Sequence, residues 1–345
     1  MEPRQDSDQT NLSLTCLPTG RGSLSYPTLL LSHVQYHSFL ISRLFLRFRY
    51  FSFSSVLATI IAMSFSHMLK QSDGRSIPQL GFGVWESPVS VCKKSVLTAL
   101  QNGYRHIDTA QNYGNEKEVG QAIREFMSSS KVPREDIYVT TKCWTVGKTE
   151  DSTFESLKAS VEKIGLGYVD LFLVHTSSHP NGAADRAKFW RAMERLQEAG
   201  LTKSIGVSNY AVHHLKEIKD SKHQPDINQI ELHPFCQQRG IVAHCKEHNI
   251  VVEAYSPIRR GRGFDHPVLR KLAEAHSVDV ARVMLRWSVQ KGYVPLPKSD
   301  TASRIESNAD LFSWSLTGEE MAELDALDEG SAGAVTGSNT AVDQD

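Results

Sequence analysis

The sequence predicts a (β/α)8 barrel of the TIM-barrel class, with an N-terminal β-hairpin and extra helices. Eight short β-prone segments alternate with helical segments along most of the 345-residue chain, which is typical of a parallel sheet closed by helices. An Asp73-Gly74 pair between two short strand-like runs predicts the hairpin, which could plug one end of the barrel. Residues 81–86 follow no G-x-G-x-x-G pattern, so an open, doubly wound sheet is disfavoured.

The barrel is predicted to occupy residues 63–330. Its first helix is expected to be capped by Ser87. The predicted strands are 81–85, 106–110, 137–142, 169–175, 204–209, 227–232, 251–256 and 294–298. The predicted helices are 88–102, 117–127, 154–164, 185–199, 211–219, 242–248, 279–291 and an extra piece at 267–276.

The two ends of the chain differ from the predicted barrel in composition. Residues 1–62 contain five arginines, three acids and no lysine. This leader can be interpreted as a transit peptide, as a marginal membrane anchor centred on the uncharged run 51–69, or as a disordered or untranslated extension before Met63. Residues 331–345 are rich in Gly, Ser, Ala and Thr, which predicts a flexible C-terminal tail.

Charge and cysteine content narrow the classes of function. The formal net charge of −1 gives no electrostatic reason to expect a nucleic-acid partner or a broad anionic membrane surface. The five cysteines are scattered and form no Cys-x-x-Cys pair, which argues against a disulfide framework or a zinc cluster. We therefore expect a cytoplasmic monomer that acts on a small molecule.

Polar side chains stand at the carboxyl ends of the predicted strands, where barrels of this class carry their active sites. Asp108 ends the second strand, and Tyr113 follows it by five residues. Lys142 ends the third strand and His175 the fourth. Other polar groups in or at the end of the later strands are Ser208, Asn209, Gln229, Tyr255, Ser256, Lys298 and Ser299. Convergence of so many groups at one rim predicts a functional site.

Four of these side chains are suited to proton transfer. A tyrosine is a poor acid at neutral pH, but the ammonium of Lys142 would stabilise the phenolate of Tyr113 and lower its pKa. Asp108 would keep Lys142 charged and oriented, and His175 could hydrogen-bond a substrate carbonyl. Since no side chain can donate a hydride, a carbonyl reduction at this site would need a nicotinamide cofactor.

Several motifs between about residues 63 and 328 resemble those of the aldo-keto reductases. They occur in the family's order and together are highly specific. They are the Leu-Gly-Phe-Gly-Val-Trp run at 80–85, the segment 106–116, and the segments 139–142, 169–175, 203–209, 228–231, 254–257 and 296–299. The resemblance implies NADPH-dependent reduction of aldehydes or ketones to alcohols.

The resemblance also implies individual roles. Asp108, Tyr113, Lys142 and His175 would form the catalytic tetrad, with Tyr113 as the general acid. Ser208, Asn209 and Gln229 would bind the nicotinamide carboxamide, and Tyr255 would stack on the ring. Ser256 is also expected to bind the cofactor.

The adenosine half of NADPH would lie at the other end of the site. Lys298, Ser299 and Arg304 resemble the family's clamp for the 2′-phosphate, and Asn308 matches an adenine contact. Ser307 departs from the glutamate of many relatives. Arg259 and Arg260 could fold over the pyrophosphate or be solvated loop charges.

The substrate pocket is implied by fewer residues. Trp85 and Trp144 resemble its apolar walls. Thr176 replaces a bulky aromatic residue of several relatives, which suggests a roomier or more polar pocket.

Other classes of protein remain as alternatives. One is a barrel that binds NADPH as a sensor without turnover. Another is a metal-dependent hydrolase, because His106 and Asp108 share one strand face. The His-x-x-Glu-His pattern at 244–248 and the Tyr113-x-x-x-Lys117 spacing are interpreted as chance matches to zinc-protease and short-chain-dehydrogenase motifs.

Overall fold

A computed structural model describes residues 67–336. The predictions made for residues 1–62, for nearly all of the run 51–69, and for 337–345 concern residues outside this range. None of the helices between 67 and 336 has the length and apolar character needed to cross a bilayer.

The described chain begins with an antiparallel hairpin, β1 (Met68–Lys70) and β2 (Ser76–Pro78). Eight parallel strands follow, each pairing with its neighbours in chain order. They are β3 (Phe82–Gly83), β4 (His106–Asp108), β5 (Tyr138–Cys143), β6 (Val169–Val174), β7 (Thr202–Ser208), β8 (Ile227–Glu231), β9 (Val251–Tyr255) and β10 (Val294–Pro295).

Helices connect and extend the strands, and most of them present an apolar face to the sheet. They are α1 (Val89–Gln101), α2 (Glu116–Ser130), α3 (Glu150–Ile164), α4 (Ala183–Glu198), α5 (Val212–Glu217), α6 (Arg239–Glu247), α7 (Pro267–Ala275), α8 (Val280–Gln290), α9 (Ala302–Ala309) and α10 (Gly318–Asp325). The alternation of strand and helix predicted from the sequence is confirmed.

Hydrogen bonds between the first and last strands close the sheet into a barrel. The backbone N–H of Gly81 donates to the carbonyl of Pro295 at 3.1 Å, and that of Gly83 donates to Pro297 at 3.0 Å. A Cβ on Gly81 would lie 2.4 Å from the Leu296 side chain, so glycine permits this close approach. The predicted (β/α)8 fold is thereby confirmed.

The hairpin covers the amino ends of the barrel strands. Ile77 of β2 is fully buried in a small apolar cluster inside the barrel. The cluster also contains Tyr138, Leu171, Leu173, Ile227, Val294 and Leu296. The opposite end, where the strands finish, is left to carry the site.

Two local predictions were wrong. Lys70 pairs with Ser76, and the Gln71 N–H donates to the Arg75 carbonyl at 2.9 Å, so three residues, 72–74, connect the strands instead of the expected two. The Asp73 carboxylate accepts the Arg75 N–H and thereby favours the longer loop. Ser87 does not cap α1, which has no side-chain cap. The Ser87 hydroxyl instead donates to Asp300 at 2.6 Å.

Candidate active site

A cavity of about 1030 Å³ opens at the carboxyl ends of the strands. Of the residues predicted to form the tetrad, the cofactor contacts and the two indole walls, Lys142 alone does not line it, because its side chain is fully buried beside Asp108. Those that line the cavity are Trp85, Asp108, Tyr113, Trp144, His175, Ser208, Asn209, Gln229, Tyr255, Ser256, Lys298, Ser299, Arg304 and Asn308. The fold thus brings side chains from all eight strand ends to one cavity.

The buried ammonium of Lys142 joins the acid to the tyrosine. Its Nζ donates to Asp108 Oδ1 at 2.6 Å, to the Thr109 carbonyl at 2.9 Å and, over a longer 3.4 Å, to Tyr113 Oη. An ammonium has three protons and no acceptor, so Tyr113 Oη must be the acceptor in the last contact. The phenolic proton of Tyr113 is therefore directed away from Lys142.

The pKa values of this group correct one expectation. Burial lowers the pKa of Lys142, but Asp108 more than offsets it, so the net shift is upward and Lys142 stays charged. Lys142 also opposes the effect of burial on Tyr113, as expected. Burial is nevertheless the larger effect, and the pKa of Tyr113 is raised. The predicted lowering was wrong in its net direction, and Tyr113 holds its proton at neutral pH.

His175 lies against the same tyrosine. Its ring is 5.7 Å from that of Tyr113 and 5.0 Å from that of Trp144, in edge-to-face arrangements. Burial, together with Lys142, lowers the pKa of His175 well below its usual value. The imidazole is therefore neutral and offers a single N–H donor.

Asn209 organises the predicted nicotinamide end. Its Nδ2 donates to the His175 carbonyl and to Ser208 Oγ, each at 3.1 Å, and its Oδ1 accepts the Tyr255 hydroxyl at 2.8 Å. Asn209 and Ser256 both have left-handed backbones, with φ of 61° and 48°. The amide of Asn209, expected to bind the carboxamide, is engaged within the protein and fixes Tyr255.

Gln229 reaches downward into the barrel. Its Nε2 donates to Asp108 Oδ2 at 3.0 Å and to Glu253 Oε2 at 2.6 Å, which leaves only its Oε1 for a ligand. Sequence reasoning did not single out Glu253, which is fully buried in β9. A signal was present, because Glu253 stands two residues before Tyr255 and strand alternation puts both on the inner face.

The far end of the cavity carries the predicted phosphate clamp. Lys298 Nζ lies 2.7 Å from Asp300 Oδ2, whereas Arg304 is exposed and makes no ion pair within residues 67–336. Ser307 donates to Asp279 Oδ2 at 2.6 Å, and Asp279 also lines the cavity. A carboxylate is thus present beside position 307 although the family glutamate is absent.

The two arginines after β9 have different contacts. Arg260 lines the cavity, with its guanidinium 4.2 Å from the Trp85 ring. Arg259 instead donates to Glu329 at 2.9 Å and to the Gly333 carbonyl at 3.2 Å. Of the two arginines, Arg260 lines the cavity and Arg259 does not.

The C-terminal segment reaches the cavity through Thr336, which lines it. Glu231 accepts the backbone N–H of Val335 at 2.6 Å and that of Thr336 at 3.1 Å. Thr176, by contrast, is buried, does not line the cavity and accepts the Ser178 N–H. Thr176 therefore adds no polar group to the cavity lining, and the suggestion of a roomier pocket stays a prediction.

Within residues 67–336, the rim of the barrel does not bring together a group of side chains that could bind a metal ion. His106 Nε2 contacts Thr140 Oγ1 at 2.9 Å, and burial, together with Lys142, lowers its pKa to about 3. Between residues 67 and 336, the cluster whose potential metal-ligand atoms come together is His244, Glu247 and His248, at the end of α6. None of these three residues lines the cavity.

Comparison with solved structures defines the class of protein. An aldo-keto reductase of Bombyx mori in complex with NADP is 34% identical, with a TM-score of 0.70 over 76% of this chain and 92% of that one. An aldo-keto reductase from Brucella melitensis is 41% identical, with a TM-score of 0.71, and the match covers 76% of this chain and 99% of that one. The chain is an NADP-dependent oxidoreductase.

Sequence comparisons identify the family. The sequence model of the "Aldo/keto reductase family" matches residues 79–329, and the chain belongs to this family. An uncharacterized oxidoreductase of Schizosaccharomyces pombe is 42% identical over 263 residues, 76% of this chain and 94% of that protein. A 9,11-endoperoxide prostaglandin H2 reductase of Trypanosoma cruzi is also 42% identical over 258 residues, which are 73% of this chain and 88% of that protein.

Proposed function

We propose that this protein reduces an aldehyde or ketone to an alcohol with NADPH and that Tyr113 donates the proton. The observation that carries the proposal is the contact of Tyr113 Oη with a lysine that Asp108 keeps charged. In this arrangement Tyr113 is an acceptor toward Lys142 and has its own proton available for a substrate oxygen. Burial keeps the phenol protonated at neutral pH, and Lys142 opposes that shift by stabilising the phenolate that forms once the proton is donated.

His175 would hold the carbonyl oxygen near Tyr113. A neutral imidazole donates one hydrogen bond without competing as a stronger acid, and the lowered pKa of His175 keeps it neutral. The positive charge of Lys142 stabilises negative charge that develops close to it in a buried setting. NADPH, when bound, supplies the hydride.

The residues present fit the cofactor. A cavity of about 1030 Å³ runs from Tyr113 to a cationic end at Lys298 and Arg304, which matches a dinucleotide with a 2′-phosphate. We assign Ser299 and Asn308 to the same adenosine end. We assign the nicotinamide end to Ser208, Asn209, Gln229, Tyr255 and Ser256.

The substrate would lie between two indole rings. Trp85 and Trp144 line the cavity, and Trp144 packs against His175. These apolar walls favour carbonyl compounds with a hydrophobic or aromatic body.

We further infer a cytoplasmic monomer. Cys92, Cys143, Cys236 and Cys245 are buried and form no disulfide within residues 67–336, which is in keeping with a reducing compartment. Cell fractionation and the solution mass test these two statements; a secreted or oligomeric protein would contradict them.

The Tyr113→Phe variant tests the acid assignment. It removes the phenolic proton and retains the ring, so turnover should fall about 10²- to 10⁴-fold while NADPH affinity is unchanged. Turnover close to that of the wild type would refute the assignment. A metal chelator should leave wild-type turnover unchanged, and its loss would instead favour a metal-dependent enzyme.

A further inference from the structure

The barrel beneath Tyr113 contains a second carboxyl group that the proposed mechanism does not use. Glu253 is fully buried in β9, and its Oε2 accepts the Gln229 amide at 2.6 Å. The same amide nitrogen donates to Asp108, which accepts from Lys142. A chain of hydrogen bonds therefore runs from Glu253 through Gln229, Asp108 and Lys142 to Tyr113.

The charges in this part of the barrel do not balance if the carboxyl groups of Glu253 and Asp108 are both ionised. Lys142 is the cation that faces them, and it already lies 2.6 Å from Asp108. His106 Nε2 is 3.6 Å from Glu253 Oε1, too far for a good hydrogen bond, and His106 is neutral because its pKa is lowered to about 3. Two buried carboxylates would thus share one ammonium.

Within residues 67–336, the other titratable group that faces Glu253 adds no positive charge. Tyr138 of β5 also lies inside the barrel, and burial raises its pKa well above the usual value, so it stays neutral. Glu253 Oε1 has no hydrogen-bond partner within residues 67–336. A buried oxygen without a partner costs far more when it is ionised than when it carries a proton, so the protonated form is favoured.

We propose that Glu253 is a positioning residue that carries a proton at neutral pH and that, when it ionises, makes Tyr113 a weaker acid. The inference rests on the proposed role of Tyr113 as proton donor. A negative charge on Glu253 would disfavour the phenolate of Tyr113 through the intervening Asp108–Lys142 pair. Consistent with this, burial and the charge of Asp108 raise the pKa of Glu253 to about 8.

The pH dependence of carbonyl reduction at saturating NADPH tests the effect on Tyr113. As pH rises through about 8, wild-type kcat should fall about threefold, because Glu253 becomes charged. Glu253→Gln is neutral at every pH and should lack this step while keeping its NADPH affinity. Glu116→Gln, the same change at another fully buried glutamate, should retain the step.

Two outcomes would overturn the proposal. One is a Glu253→Gln profile with the same step as the wild type. The other is a uniform loss of kcat at all pH values, which would mean a merely structural role.

A second measurement does not depend on turnover, and selective assignment of the resonance frees it from the folding of a variant. In wild-type protein labelled with ¹³C at the glutamate side-chain carboxyl, one resonance should titrate with a midpoint near pH 8, and Glu253→Gln or selective assignment identifies it. An ionised Glu253 at pH 7 would refute the proposal that this residue carries a proton at neutral pH. Absence of carbonyl reduction by the wild type would instead refute the proposed function, whatever the titration shows.

Discussion

The two ends of the cavity differ in how their charges are held. At the end that contains Tyr113, the proposed proton donor, Lys142 is fully buried and all three of its protons have acceptors. At the end proposed to bind the phosphate, Lys298 is half-buried beside Asp300, and Arg304 is exposed. Buried charges act through a low dielectric and are already oriented, whereas exposed charges are screened by water and salt. The first end is therefore suited to chemistry and the second to selection of the cofactor.

The Lys142→Met variant should give the largest effect. It leaves Asp108 buried without its ammonium and removes the cation beside Tyr113, so turnover should fall about 10²- to 10³-fold. Loss of one partner of a buried ion pair should also cost roughly 3–5 kcal/mol of unfolding free energy. Steady-state kinetics and urea unfolding measure the two effects.

A matched control uses an exposed lysine. Lys271 pairs with Glu323 at the surface, so Lys271→Met should change stability by about 0–1 kcal/mol and leave turnover unchanged. Equal losses for the two lysine variants would remove the distinction between buried and exposed charges.

At the phosphate end, Lys298→Met combined with Arg304→Ala should weaken NADPH binding about 10- to 100-fold and leave NADH binding nearly unchanged. Binding titrations with both cofactors measure the ratio. Added salt should weaken NADPH binding in the wild type more than in the double variant, because the double variant lacks the two exposed charges that salt would screen. An unchanged NADPH/NADH preference would contradict the clamp.

A smaller effect is expected where Glu231 holds the C-terminal segment. Although burial raises its pKa, contacts with His233, Thr336 and Val335 outweigh it, so the net pKa of Glu231 is lowered. A lowered folded-state pKa means that this attachment stabilises the protein above the unfolded value of about 4.3 and is lost as pH falls through the folded value.

Glu231→Gln should therefore loosen Val335 and Thr336 at neutral pH. Their amide hydrogen exchange should accelerate about tenfold, whereas KM for a bulky aldehyde should change by only about threefold. Protection equal to that of the wild type would show that Glu231 does not hold this segment.

The order of the elements and the location of the rim could be predicted from local sequence. The strands are short and alternate with helical segments, and polar residues such as Asp108 and His175 stand at the strand ends, where the fold must bring them together. The net pKa of Tyr113 could not be predicted, because it depends on burial by residues distant in sequence.

Contacts set by tertiary structure were also beyond local reasoning. Arg259 and Arg260 are adjacent, but left-handed backbones at both positions direct one to Glu329 and the other to Trp85. Glu253 meets Gln229 from the neighbouring strand only through the register of β8 and β9. Sequence spacing places Glu253 on the inner face of its strand, but it predicts neither the contact of Glu253 with Gln229 nor the different partners of the two arginines.

The most direct test of the central claim is the absorbance of NADPH when the full chain is mixed with a panel of aldehydes and ketones. We predict that the nicotinamide absorbance falls with at least one of these substrates and that the corresponding alcohol accumulates in equal amount. NADPH binding without loss of absorbance for any member of the panel would contradict carbonyl reduction and favour a barrel that only senses the cofactor.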